Sequence, residues 1–126
     1  MQQVASKITS FTDLTAWQKG HELVLGIYSV AQRFPVAEQY GLTSQIKRAS
    51  VSITSNIAEG FSRRTKADKI NYYHIALGST TEVQNQLLIA RDLKFVDKAL
   101  FKQLADLSVE VSKVLNGLIK SLKVVK

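Results

Sequence analysis

Apolar side chains recur along this chain every three or four residues, and strict alternation over a strand-length stretch is hard to find. That period belongs to amphipathic helices, so the chain reads as all-α. A first helix is predicted over about residues 13–33. Leu14, Trp17, His21, Val24, Tyr28 and Ala31 step by 3, 4, 3, 4 and 3, with a second row of Leu23, Ile27, Val30 and Phe34 beside them. Thr15 and Gln18 have capping-box spacing, Thr12 is an equally good cap, and Pro35 stops the helix. A second helix over 43–59 opens on Thr43 or Ser44, carries Leu42, Ile46, Ala49, Ile53 and Ile57 on its apolar side, and takes Gly60 as its C-terminal stop.

Thr65 with Asp68 opens a third helix over 66–94, whose core-facing candidates are Ile70, Tyr73, Leu77, Val83, Leu87, Leu88 and Leu93. Asp97 caps a fourth helix over 98–122, where Leu100, Leu104, Leu107, Val111, Val114 and Leu118 step by 4, 3, 4, 3 and 4. Short connections between four helices predict one antiparallel up-down-up-down four-helix bundle filling residues 1–126. The fourth helix also carries a second stripe, Phe101, Ala105, Leu115, Ile119 and Leu122, widened by Ser108 and Ser112. A surface helix in a monomer buries one stripe of about 100°, so this doubling, repeated in the first helix, predicts self-association.

Composition narrows the function. Lys and Arg number 17 against 10 Asp and Glu, a net charge of +7, and there is no cysteine, which excludes disulfides, cysteine-ligated zinc and thiol catalysis. The first residues lack an apolar leader core, and the longest run free of Asp, Glu, Lys and Arg, 70–81, is too short to span a bilayer. A soluble, cytoplasmic protein with an anionic partner and no membrane is expected. The excess charge falls in two places. Lys98, Lys102, Asp106, Val109, Lys113, Asn116, Lys120 and Lys123 follow one another at helical spacing on the polar side of the fourth helix, with Lys126 beyond them, and Arg63, Arg64, Lys66 and Lys69 cluster at the turn into the third. Either could dock phosphates or an acidic protein, although single lysine faces usually serve solubility.

The second helix is dense in small polar residues: Ser44, Ser50, Ser52, Thr54, Ser55 and Asn56. Asn56 and Glu59 share a face, and with Ser52 and Gly60 they read as a polar network at a helix or subunit contact. A catalytic carboxylate at Glu59 would need a nucleophile or metal ligand that the sequence does not offer. His21 and His74 lie in different helices, Gly78-Ser79-Thr80-Thr81 is better explained by close helix contact than by phosphate binding, and no Walker, dinucleotide, nucleophile-elbow or zinc-protease pattern is present. No enzyme activity and no cofactor are expected.

The same stretch carries a resemblance. Phe11, Asp13-Leu14, Trp17-Gln18, Phe34-Pro35, Glu38, the run Tyr40-Gly41-Leu42-Thr43-Ser44-Gln45-Ile46-Lys47-Arg48-Ala49, Ser52, and Ser55-Asn56-Ile57-Ala58-Glu59-Gly60 are similar to the four-helix proteins encoded in intervening sequences of bacterial 23S rRNA genes, often labelled S23 ribosomal proteins. Ala76, Gly78-Ser79, Glu82, Gln86-Leu87 and Ile89-Ala90 continue the match, and Thr54 departs from it where many relatives have proline. The resemblance implies a closed homopentamer. It also implies a fold similar to the accessory protein of diversity-generating retroelements, a basic pentamer that associates with nucleic acid and a reverse transcriptase.

Two functions from different classes follow. The first is a nucleic-acid-associated accessory protein contacting RNA or DNA backbones through Arg63, Arg64, Lys66, Lys98, Lys102, Lys113, Lys120 and Lys123, with Lys47 and Arg48 in reserve and no evident aromatic stacking platform. The second is a scaffold that meets an acidic protein such as a polymerase.

Overall fold

A computed structural model describes residues 7–123. Among them are four α-helices, α1 (Thr15–Ala31), α2 (Leu42–Phe61), α3 (Lys66–Asp92) and α4 (Lys98–Leu122), with short 3₁₀ turns at Phe11–Asp13 and Val36–Glu38 and no strand. Each helix packs on its two neighbours around the bundle, α1 on α2 and α4, and α3 on α2 and α4. The pairs run antiparallel: Gly20 meets Thr54 while Tyr28 meets Lys47, Ser52 meets Ser79 while Gly60 meets Tyr72, and Lys19 meets Glu110 while Gly26 meets Leu104. Val124, Val125 and Lys126 lie outside the described residues.

The helix starts show how local chemistry sets boundaries. Thr65 and Asp97 act as expected, their side chains accepting from the Asp68 and Leu100 amides at 3.1 and 2.8 Å. The predicted capping box at α1 is absent: α1 starts after Leu14 with no side-chain cap, and the box forms instead on the preceding 3₁₀ turn. Ser10 accepts from the Thr12 amide at 3.2 Å, and Asp13 Oδ2 accepts from the Ser10 and Thr9 amides at 3.0 and 2.9 Å. Gln18 reaches back to the Thr12 carbonyl instead of pairing with Thr15. Those amides hold the Asp13 carboxyl below the usual carboxylate range. At α2 neither Thr43 nor Ser44 caps: Gly41 occupies the cap and Glu38 Oε1 accepts from the Leu42 amide at 3.0 Å.

Gly60 is the clearest correction. It is buried inside α2, which continues to Phe61, and it does not end the helix. A Cβ there would lie 2.8 Å from Tyr73 Cε1 and 2.9 Å from Tyr72 Cβ, so the absence of a side chain is what lets α3 approach. The left-handed turn that ends a helix falls at Lys94 instead, φ 64°, where the Phe95 amide bonds back to the Ala90 carbonyl at 2.8 Å.

The core follows the predicted face of α2, with Leu42, Ile46, Ala49, Ile53 and Ile57 all buried. On α1 the second row is wholly core, with Leu23, Ile27, Val30 and Phe34 buried; of the first row only its ends, Leu14 and Ala31, are buried, Trp17 and Val24 are half-buried, and His21 and Tyr28 are exposed. On α3 the buried line is Tyr73, Ala76, Thr80, Val83, Leu87 and Ala90, while Leu88 and Leu93 face water. Small residues carry half that line, which is why a search for large side chains misplaced it. On α4 the buried line, Leu104, Ser108, Val111, Leu115 and Ile119, runs between the two stripes and leaves the rest of both half-buried. The doubled pattern therefore belongs to one wide face packed within the chain.

Two substitutions test this packing in opposite directions. Gly60→Ala should lower unfolding stability, because overpacking costs about 1–3 kcal/mol and helix propensity returns about 1 kcal/mol. Lys94→Gly should raise it by about 0.5–1 kcal/mol by relieving the left-handed residue. Urea unfolding of the three proteins checks both. Acid is expected to loosen the N-terminal turn. The Asp13 pKa is lowered on folding, so its contribution is complete above the ordinary carboxylate range and is lost as pH falls through the folded value. Amide exchange at Thr9 and Ser10 should accelerate relative to the helix interiors over that range.

Candidate functional site

Seventeen cations against 10 carboxylates leave many unneutralised charges, and where they lie depends on which ones the fold has already engaged. At the α2–α3 turn two of the four basic residues are structural. Arg63 pairs with Glu59, donates from Nη2 to the Tyr72 hydroxyl at 3.0 Å, and places its guanidinium 4.7 Å from the centre of the Tyr72 ring. Lys69 donates to the Phe61 carbonyl at 2.6 Å and sits 5.3 Å from the Phe61 ring, at the negative end of the α2 dipole. Arg64 and Lys66 are exposed and have no carboxylate partner among the described residues.

On α4 the five lysines are all exposed, as predicted, but the face is not continuous in sign. Lys102 pairs with Asp106 at 2.8 Å, an exposed contact worth little by itself. Glu22, Asp106 and Glu110 line a groove of about 560 Å³ between α1 and α4, together with Gln103, Leu107, Val109 and Lys113, and Lys19 pairs with Glu110 at 3.3 Å. The acidic groove interrupts the lysines near the middle of the helix.

Topology then gathers the free cations at the two ends of the bundle. The antiparallel order puts the C-terminus of α4, with Lys120 and Lys123, at the same end as the α2–α3 turn with Arg64 and Lys66. The start of α4, with the free Lys98 and the paired Lys102, lies at the other end, about 40 Å away along the 27 residues of α3. Lys94 joins that second cluster across a groove lined by Arg91, Lys94, Phe95, Val96, Asp97 and Lys98. Sequence reasoning missed Lys94. The run Arg91, Lys94, Lys98 across a turn has the same form as Arg63, Arg64, Lys66 and could have pointed to it. Arg91 itself is engaged, by Asp92 at 2.8 Å and by the Phe101 ring at 5.0 Å.

The polar network on α2 forms in part. Asn56 Nδ2 donates to the Ser52 carbonyl and hydroxyl at 2.7 and 3.0 Å, and the Ser52 and Ser79 hydroxyls share a hydrogen bond of 2.8 Å across to α3. Glu59 is not in it; its partner is Arg63. Gly78 is exposed with open space where a Cβ would stand, so the close contact expected of that segment is made by Ser79 and Thr80. Thr54 is buried within unbroken helix. His21 stacks on Trp17 at 4.6 Å, and His74 is exposed. Among the described residues no group of three or more His, Asp and Glu is placed to hold a metal ion, and no helix is long and apolar enough to cross a membrane.

Comparison with known proteins finds both a family and a solved structure similar to this chain. The family model described as 23S rRNA-intervening sequence protein matches residues 12–117. A crystal structure of a protein of unknown function from the S23 ribosomal protein family of Bacteroides thetaiotaomicron VPI-5482 superimposes with a TM-score of 0.75 at 28% identity, covering 83% of this chain and 95% of that one. No curated protein matches.

The division between held and free cations is open to measurement. Arg63→Gln should lower stability by about 1 kcal/mol, because it removes the exposed pair with Glu59 together with the hydrogen bond and ring contact to Tyr72. Arg64→Gln and Lys66→Gln should stay within about 0.5 kcal/mol of the parent. Equal losses for all three in urea unfolding would contradict the assignment.

Proposed function

Because the chain belongs to the 23S rRNA-intervening sequence protein family, we propose that it is a non-catalytic, basic, homo-oligomeric accessory protein that binds RNA or DNA through phosphates without reading sequence. The observation that carries this reading is the position of the unpaired cations. Arg64, Lys66, Lys120 and Lys123 lie at one end of the bundle, and Lys94 and Lys98 at the other, where Lys102 is already paired with Asp106. Flexible ammonium groups on exposed helix ends suit diffuse phosphate contacts, which fix a nucleic acid in place and carry no base information. Arg63 drops out of the contact set, and Lys102, paired with Asp106, and Lys113, beside the groove with Glu22 and Glu110, are its weakest members.

Assembly into a closed ring, five copies as the family resemblance implies, multiplies that field. The support from this chain lies in side chains that α4 does not supply. Leu25 and Tyr28 on α1 are 58% and 40% exposed, and Ile75, Leu88 and Ile89 on α3 are 51%, 42% and 39% exposed. Helices α1 and α3 lie diagonally across the bundle, so these are two separate patches. A ring of more than two copies uses two different surfaces on each subunit, one meeting the other.

Binding to unrelated RNA and DNA across a salt series tests the function. Log affinity should fall linearly with log salt, with a slope of about −0.7 per phosphate contact on single strands and about −0.9 on duplex DNA. The triple change Arg64→Glu, Lys120→Glu and Lys123→Glu should flatten that slope. No binding at low salt by an assembled oligomer would instead favour an acidic protein as partner. Light scattering should return five times the 14.0 kDa chain mass, and a monomer would contradict the ring.

A further inference from the structure

A groove on the outer side of the α2–α3 seam has chemistry that phosphate binding leaves unused. Tyr40, Ser44, Gln45, Arg48, Ser52 and Glu82 line it around about 470 Å³. Tyr40 is 91% exposed, yet the backbone on both sides of it is tied down. The 3₁₀ turn Val36–Glu38 leads into it, the Gly41 amide donates to the Glu38 carbonyl at 2.9 Å, and Glu38 Oε1 receives the Leu42 amide at 3.0 Å. The Glu38 carboxylate lies close over Gly41, 2.9 Å from where a Cβ would stand. An aromatic ring held in water by an ordered loop contributes nothing to the core and is a ready stacking face, with little ordering entropy left to lose on binding.

The other walls suit a nucleotide better than an apolar partner. Arg48 is exposed and has no carboxylate partner among the described residues, so its planar guanidinium is available to a phosphate. Glu82 repels phosphate but accepts hydrogen bonds from the amino groups on base edges, and Ser44 and Gln45 add neutral donors and acceptors. Bases become available to such a groove only where a strand is unpaired.

We propose that this groove holds one unstacked nucleobase of single-stranded RNA or DNA, stacked on Tyr40, with the adjoining phosphate on Arg48 and an amino edge toward Glu82. The site rests on the backbone-binding function proposed above and adds to it a preference for single strands over duplexes.

Fluorescence anisotropy with a labelled single strand, the same length of duplex, and an abasic strand of the same length separates the two. The parent protein should bind the single strand more tightly than the abasic strand. Tyr40→Ala should weaken single-strand binding about 5- to 150-fold, the range for loss of one stacked base, and leave abasic and duplex binding unchanged. Tyr40→Phe should keep the parent affinity, and Arg48→Gln should weaken single and abasic strands alike. Equal parent affinity for single and abasic strands, or no effect of Tyr40→Ala, overturns the base site while backbone binding stands. Failure to bind any of the three removes both. A changed oligomer mass for Tyr40→Ala by light scattering would show that the groove is a contact between copies, and overturns the proposal as well.

Discussion

The approach of α2 to α3 is the constraint on which the remaining geometry depends. Gly60 lets the two tyrosine side chains of α3 lie against the backbone of α2, and the Ser52–Ser79 hydrogen bond ties the same helices two turns further along. With the seam this close, the connecting turn is short and must be neutralised where it crosses the carbonyl end of α2. Lys69 does so directly, and Arg63 closes the corner by bridging Glu59 and Tyr72. Half of the basic residues at this turn therefore serve the fold. Arg64 and Lys66 project outward because their neighbours are held.

The second consequence is electrostatic. An antiparallel bundle returns the end of its last helix to the first helix start and to the α2–α3 turn, so residues far apart in sequence, Arg64 and Lys123, come to one end. Between the ends, Glu22, Asp106 and Glu110 meet across α1 and α4 with Lys19 and Lys113 beside them, so that face is close to balanced in charge. The excess of +7 is presented by unpaired cations at the two ends of the bundle, Arg64, Lys66, Lys120 and Lys123 at one and Lys94 and Lys98 at the other, and the field is strongest there.

Much of the fold was legible in the sequence because helical period, caps and breakers are local. The four helices, the Thr65 and Asp97 caps and the α2 core face follow from residues within a few positions of each other. What was not legible depends on partners far along the chain. Nothing near Gly60 says that it faces Tyr73 and not a helix end. Nothing on α4 says that Phe101 is covered by α3, nor on α3 that Ala76 and Thr80 face the core in place of Leu88. The candidate surface was readable as a list of cations but not as a set. The sequence pattern placed Arg63 beside Arg64, and only the fold separates a guanidinium lying on Tyr72 from one in water. Lys94 escaped notice because its role arises from a turn that brings it beside Lys98.

The central claim is that the fold sorts its cations into held ones and free ones and that the free ones meet nucleic acid. Lysine acetylation read by mass spectrometry, with and without a saturating RNA or DNA strand, tests it most directly. Protection should appear at Lys66, Lys94, Lys98, Lys120 and Lys123, while Lys69 and Lys19 should react slowly and equally in both conditions. Unchanged reactivity at both ends of the bundle, or protection confined to Lys19 and the α1–α4 groove, would contradict the account.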